Sequence, residues 1–221
     1  MDEVAEDFAE AFTAAEHGPC SLYLISPQDV GGGFPDRLKA ALEPGIASAF
    51  QLRVKDTDEH VLARLAEPLQ RICADAGVAF IVNDSVALAK RLGADGVHLG
   101  QSDGDIRDAR AMLGPSAQIG KTCHDSRHLA MEAGEAGADY VAFGAFYPTT
   151  TKPSDYRPEP AMLSWWSTLF EIPCVAIGGI TAENAKPLVE AGADFLAVCQ
   201  AVWAKDDPAG DVSGFAEVLK R

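Results

Sequence analysis

Two short apolar runs in the middle of the chain each end in side chains able to hold a cation or an anion. Phe80, Ile81 and Val82 stop at Asn83 and Asp84, and Val97, His98 and Leu99 stop at Gly100, Gln101, Ser102 and Asp103. Carboxylates and amides just past the C-terminal ends of short buried strands recur where an α/β barrel carries its chemistry. Two Asp from neighbouring strand ends can share one hard cation such as Mg²⁺, which takes one or two protein carboxylates and leaves positions for phosphate oxygens. The same residues also admit a structural reading. In it Asp84 N-caps the helix beginning near Ser85, and Asp103 is simply solvated.

Basic and hydroxyl side chains follow other apolar runs. Gln51, Arg53 and Lys55 alternate with apolar residues, so all three point to one face of a strand. Two buried cations on the inner face of an acidic protein require an anionic partner, because unpaired buried charge is costly. That partner is Asp84, Asp103 or a ligand phosphate. Thr122, Cys123 and His124 end a further run, while His98 lies inside a strand and reads as a stacking or hydrogen-bonding residue. Tyr147-Pro148-Thr149-Thr150-Thr151-Lys152 places three hydroxyls and an ammonium on one loop, a set that donates well to phosphate. Gly178 and Gly179 fall between a strand and an expected helix at 182–191. There, exposed backbone N–H groups bind anions, and barrels commonly place phosphate after strands 7 and 8. Two anion sites result, one for a monophosphate and one suited to Mg²⁺-pyrophosphate.

The elements that must position these groups alternate regularly. Apolar runs at 21–26, 49–54, 79–82, 96–99, 118–122, 140–143, 174–177 and 195–198 read as strands. Helices are expected at 35–42, 58–76, 85–92, 105–113, 126–136, 161–169, 182–191 and 212–220, with a leading amphipathic helix over 3–16. The 58–76 helix carries Val61, Leu62, Leu65, Leu69 and Ile72 on one face. Gly-Ala-Asp recurs at 93–95, 137–139 and 192–194, each time before an apolar run. The Gly ends a helix, and Asp95, Asp139 and Asp194 hold the turn at the N-terminal face of the barrel, away from chemistry. Eight strands alternating with helices in 221 residues predict a single (β/α)8 TIM barrel over 1–221 with an extra N-terminal helix.

Composition bounds the rest. A formal net charge of −15 argues against nucleic acid and membrane surfaces as partners. Five widely spaced cysteines without a CxxC pair predict buried free thiols, a reducing cytoplasm and no structural zinc. The acidic, amphipathic start does not have the pattern of a targeting leader, and no apolar run is long enough to span a bilayer.

The segments QLRVK (51–55), VND (82–84), GVHLGQSD (96–103), YPTTTK (147–152) and AIGGIT (176–181), in that order, resemble those of the thiamine-phosphate synthase family over about residues 22–202. The resemblance implies condensation of hydroxymethylpyrimidine diphosphate with thiazole phosphate, releasing pyrophosphate, so that the partners are small phosphorylated substrates. It further implies that Gln51, Arg53, Lys55, Asn83 and Lys152 hold the pyrimidine diphosphate, and that Asp84 and Asp103 ligate Mg²⁺ as cofactor. Thr122 takes the position of a hydroxyl that contacts the leaving diphosphate. Thr149, Thr150, Thr151 and Gly179, with the backbone at Cys199 and Gln200, would hold the thiazole phosphate. Arg53, Lys55, Lys152 and Thr122 form the implied catalytic set, stabilising departing negative charge. Val54 and Gln200 differ from the acidic residue and the serine usual at those places. Two alternatives stand on the same barrel: a thiazole tautomerase-like isomerase using His124 as acid/base, and a non-catalytic phosphate-binding paralogue.

Overall fold

The computed structural model describes residues 18–149 and 155–220. The expected leading helix at 3–16 lies outside the described residues. Eight parallel strands close into one barrel in sequential order: β1 (Ser21–Ile25), β2 (Ala47–Leu52), β3 (Ala79–Asn83), β4 (Gly96–Leu99), β5 (Gln118–His124), β6 (Tyr140–Gly144), β7 (Cys174–Ile177) and β8 (Phe195–Val198). β8 pairs with β1, so the barrel has no edge. The first five helices are α1 (Phe34–Leu42), α2 (Glu59–Asp75), α3 (Val86–Leu92), α4 (Ile106–Leu113) and α5 (Arg127–Glu135). They are followed by α6 (Ala161–Leu169), α7 (Lys186–Glu190), α8 (Gln200–Trp203) and α9 (Pro208–Ser213).

Strand alternation sorts side chains into two cores. Leu22, Leu24, Phe50, Phe80 and Phe143 point outward and pack under the helices with Trp166 and Leu69. Tyr23, Ile25, Ile81, Tyr140, Ala142 and Val175 point inward and fill the barrel itself. Burial of such side chains, at roughly 25 cal/mol per Å² of apolar surface, drives the closure. Four of the five cysteines are buried.

The recurrent Gly-Ala-Asp turns latch the N-terminal end of the barrel. Asp95 accepts from Phe80 N (2.7 Å), Asp139 from Ile119 N (2.6 Å) and Asp194 from Cys174 N (2.8 Å). Each carboxylate thus satisfies an N–H at the start of the preceding strand, and Asp139 also pairs with Arg110 (2.5 Å). These three Asp are structural, as expected.

Several elements differ from the sequence reading. β2 starts and ends two residues early, so Arg53 and Lys55 lie beyond the strand rather than buried inside the barrel. β5 runs on to His124, with a bulge between Thr122 and His124. Val61 is exposed, and the buried face of α2 is Leu62, Ala63, Ala66, Leu69 and Cys73. α7 is only five residues, because 181–184 form a turn held by Asn184 (Thr181 N to Oδ1, 2.8 Å; Nδ2 to Gly179 O, 2.9 Å). The expected 212–220 helix is instead α9, started by Asp207, whose side chain accepts from Gly210 N, and by Pro208 in the first turn. No helix among the described residues is long and apolar enough to cross a membrane.

Candidate active site

The C-terminal ends of the strands surround a cavity of about 480 Å³. Gln51, Arg53, Lys55, Asn83, Asp84, Thr122, Thr149, Gly179, Cys199 and Gln200 all line it. Thr150, Thr151 and Lys152 lie outside the described residues. Asp103 stands just behind the wall, against Asp84 and Gly100.

Gln51 is inside the barrel and 3% exposed. Arg53 and Lys55 are carried on the segment after β2, whose backbone is held by the neighbouring β1 loop. Arg53 N donates to Ser26 Oγ (2.9 Å), Lys55 N to Gln28 Oε1 (3.1 Å), and Gln28 Nε2 to Lys55 O (2.5 Å). Ser26 and Gln28 were not picked out from the sequence. Their only signal was that Ser26-Pro27-Gln28 ends an apolar run, a weaker version of the one that marked Asn83 and Asp84.

Asp84 does not cap α3. Ser85 does, accepting from Leu88 N at 3.1 Å. Asp84 instead holds a left-handed backbone (φ 64°), an unusual conformation for a residue other than glycine, with its N–H on His98 O (2.9 Å). This turn delivers its carboxylate to Lys55 Nζ at 3.5 Å and to Asp103. Burial, then the hydrogen bond and charge of Asp103, raise the Asp84 carboxyl above the usual range, with Lys55 opposing. For Asp103, burial also works against ionisation, but hydrogen bonds from Asp84, Gly100 N–H and Ser102 outweigh it and hold the group low. The two carboxyls thus stand against each other with opposed shifts, an arrangement of like charge that a cation would relieve.

The loop carrying Asp103 is pinned from β5. Lys121 Nζ donates to Gly100 O (2.8 Å) and Gly104 O (3.0 Å), and Gln101 Nε2 donates to Thr122 O. Gly100 N donates to Asp103 Oδ2 (2.9 Å), and a Cβ on Gly100 would lie 2.4 Å from that oxygen. The donor set suits Mg²⁺. Among the described residues no three His, Cys, Asp or Glu cluster, as zinc would favour, whereas one carboxylate on a phosphate-sized cavity with a second directly behind it is the usual protein share for Mg²⁺.

On the opposite wall, Gly178 (φ 105°) and Gly179 (φ 64°) pass under the start of the Tyr147–Thr149 segment. Tyr147 N donates to Gly178 O (3.0 Å), and Tyr147 Oη to Asn184 O (2.7 Å). The glycine pair thus leads into the Asn184 turn, not into a helix N-terminus as expected. α8 follows β8 directly, with Cys199 at its N-cap and Gln200 exposed at its first position. His124 (φ 55°) stacks on Tyr156, centroids 4.1 Å apart, and both line the cavity. Tyr156 was not foreseen, because it lies in a stretch with no periodic signal. Arg53 and Lys55 at one wall and Thr149 with Gly179 at the other give the cavity two places for anions.

The chain matches the family model "Thiamine monophosphate synthase" over residues 22–202. It is 66% identical over 205 residues to the thiamine-phosphate synthase of Erythrobacter litoralis, covering 91% of this chain and 96% of that protein. It is 52% identical over 199 residues to the thiamine-phosphate synthase of Rhodospirillum centenum, covering 90% and 95%. Among solved structures, thiamine phosphate pyrophosphorylase from Pyrococcus furiosus superposes with a TM-score of 0.80 at 29% identity, covering 90% of this chain and 95% of that one.

Proposed function

This chain belongs to the thiamine monophosphate synthase family, and from that premise we propose that its cavity joins hydroxymethylpyrimidine diphosphate to thiazole phosphate, yielding thiamine phosphate and pyrophosphate. The observation that carries the reading is the meeting, in one cavity, of the Arg53/Lys55/Asp84 wall with the Thr149/Gly179 wall. The first suits a diphosphate, the second a monophosphate.

The reaction breaks the C–O bond between the pyrimidine methylene and the diphosphate, and the electron pair leaves with the diphosphate. The thiazole nitrogen lone pair then forms the new C–N bond. No proton has to move, so the site needs no nucleophile–base pair. It must stabilise departing negative charge and hold the two reactants in line. Arg53 and Lys55 supply fixed positive charge at the diphosphate end, joined by Lys152. Thr122 donates its hydroxyl to the same group. Gln51, whose amide nitrogen is committed to Tyr23 (3.0 Å), offers its oxygen to an amino group on the pyrimidine, and Asn83 lies beside it. Thr149, Thr150, Thr151, Gly179 and the backbone at Cys199 and Gln200 hold the monophosphate of the thiazole.

Asp84 and Asp103 would hold Mg²⁺, which when bound neutralises charge on the diphosphate oxygens. Supporting this reading, Asp84 is turned by its left-handed backbone and Asp103 is held by Gly100 N–H. The substrates are small phosphorylated molecules, and we assign the protein to the cytoplasm. The test is product formation. Purified protein with both substrates and Mg²⁺ should yield thiamine phosphate, read as fluorescent thiochrome after oxidation. No thiochrome signal from folded protein would refute the reading.

A further inference from the structure

A line of buried hydrogen bonds crosses the barrel interior beneath the cavity, joining five strands. Gln51 Nε2 on β2 donates to Tyr23 Oη on β1 (3.0 Å), which lies 2.8 Å from Tyr140 Oη on β6. Tyr140 Oη is 3.1 Å from His98 Nδ1 on β4, and His98 Nε2 is 2.8 Å from Thr122 Oγ1 on β5. His98 also stacks on the Tyr140 ring, centroids 5.6 Å apart. The fold makes room for this line: a Cβ at Gly120 would lie 2.0 Å from Tyr140 Cζ. Gln51, His98 and Thr122 reach the cavity wall, whereas Tyr23 and Tyr140 do not.

The direction of the whole line follows from its first member. An amide nitrogen can only donate, so Tyr23 accepts from Gln51 and its own hydrogen goes to Tyr140. Tyr140 in turn donates to His98 Nδ1. His98 is then a neutral imidazole with its hydrogen on Nε2, and it donates to Thr122 Oγ1. Both phenols keep their hydrogens at neutral pH: burial pushes Tyr23 to about 12 and Tyr140 well above its ordinary value. In the opposite direction Tyr23 would receive two hydrogens and have no acceptor for its own, a costly arrangement for a buried hydroxyl. Accepting from His98 at one lone pair, the Thr122 hydroxyl keeps its own hydrogen to give.

We propose that Tyr23, Tyr140 and His98 are positioning residues that orient the Thr122 hydroxyl as a donor into the cavity, toward the diphosphate oxygens. Hydrogen bonds in such a line strengthen one another, and a donor aimed in advance costs no reorientation as charge develops. This inference rests on the synthase reading for its ligand, but the hydrogen-bond direction does not.

The experiment therefore has two arms. The first needs no substrate: ¹⁵N-histidine spectra of the full chain, with the His98 signals assigned by their loss in His98→Gln. The proposal expects the Nε2–H tautomer, and a shift toward a tautomer mixture in Tyr140→Phe, which removes one hydroxyl without changing ring shape. A predominant Nδ1–H tautomer in the unaltered protein would mean that the line runs the other way and would overturn the proposal. The second arm is kinetic. Tyr140→Phe should lower kcat by about tenfold, a fraction of the loss from deleting an oxyanion donor outright, with KM for thiazole phosphate unchanged and folding intact by circular dichroism. Unchanged kcat, with Thr122→Val strongly impaired, would overturn the positioning role. If Tyr140→Phe fails to fold, Tyr23→Phe interrupts the same line one step earlier and carries the same expectation. An inactive unaltered protein showing the Nε2–H tautomer would count against the synthase reading, while leaving the direction of the line established.

Discussion

Replacing Gly179 by alanine probes the wall assigned to the thiazole phosphate. Its φ of 64° costs an alanine about 1–2 kcal/mol. The added Cβ would lie 2.3 Å from Pro148 O, 2.9 Å from Tyr147 Cβ and 3.0 Å from Tyr147 C. Ordinary carbon–oxygen contacts begin near about 3.3 Å, so the 147–149 backbone must retreat by roughly 1 Å. Overpacking of this kind adds about 1–3 kcal/mol. At about 2–4 °C per kcal/mol for a chain of this size, Tm should fall by about 4–20 °C. The catalytic consequence is larger, since a displacement of about 1 Å in a positioning group costs on the order of 100-fold. Steady-state kinetics with each substrate varied in turn should therefore show kcat/KM for thiazole phosphate down about 100-fold. KM for the pyrimidine diphosphate, held by β2–β5, should be unchanged. Unaltered thiazole kinetics would refute the assignment of Gly179 and Thr149 to that phosphate.

Three further expectations follow from the same geometry. Asp84→Asn removes one carboxylate of the shared pair and should cut Mg²⁺-dependent turnover by at least about 100-fold without lowering Tm; turnover near the unaltered rate would remove Asp84 from the metal site. Lys121→Met unpins the loop bearing Asp103, so the Mg²⁺ concentration for half-maximal rate should rise about tenfold, as for other supports behind a ligand; an unchanged value would make Lys121 a purely structural tether. Burial raises the Cys73 and Cys123 thiols from 9.0 to about 12 and the Tyr23 phenol from 10.0 to about 12. The unfolded chain releases these protons first, so the stability they support is complete below pH 9 and is lost as pH rises toward 12. With two or more such protons, urea unfolding should show stability falling by about 3 kcal/mol per pH unit near pH 10–11. Cys73→Ala should flatten that slope, and an identical slope would contradict the cause.

Much of the site was legible because apolar runs are punctuated so sharply. Asn83, Asp84 and Asp103 stand at strand ends, and period-two alternation of Gln51, Arg53 and Lys55 put all three on the cavity wall. What alternation could not show was that β2 ends at Leu52. Ser26 Oγ and Gln28 Oε1 take the next N–H groups, so the basic side chains stand on a loop instead of inside the barrel. Ser85, not Asp84, caps α3, because a left-handed Asp84 points its carboxylate at the cavity. The Asn184 turn replaces the start of the expected seventh helix for a similar reason: one side chain satisfies both a donor and an acceptor locally. The line from Gln51 to Thr122 was invisible in sequence, since its members come from five strands that only barrel closure brings together.

The most direct measurement is pyrophosphate release from the purified protein, with the pyrimidine diphosphate, thiazole phosphate and Mg²⁺ supplied together and each omitted in turn. The account predicts release only when all three are present, with one pyrophosphate per thiamine phosphate formed. Release independent of thiazole phosphate, or none from folded protein with all three present, would contradict it.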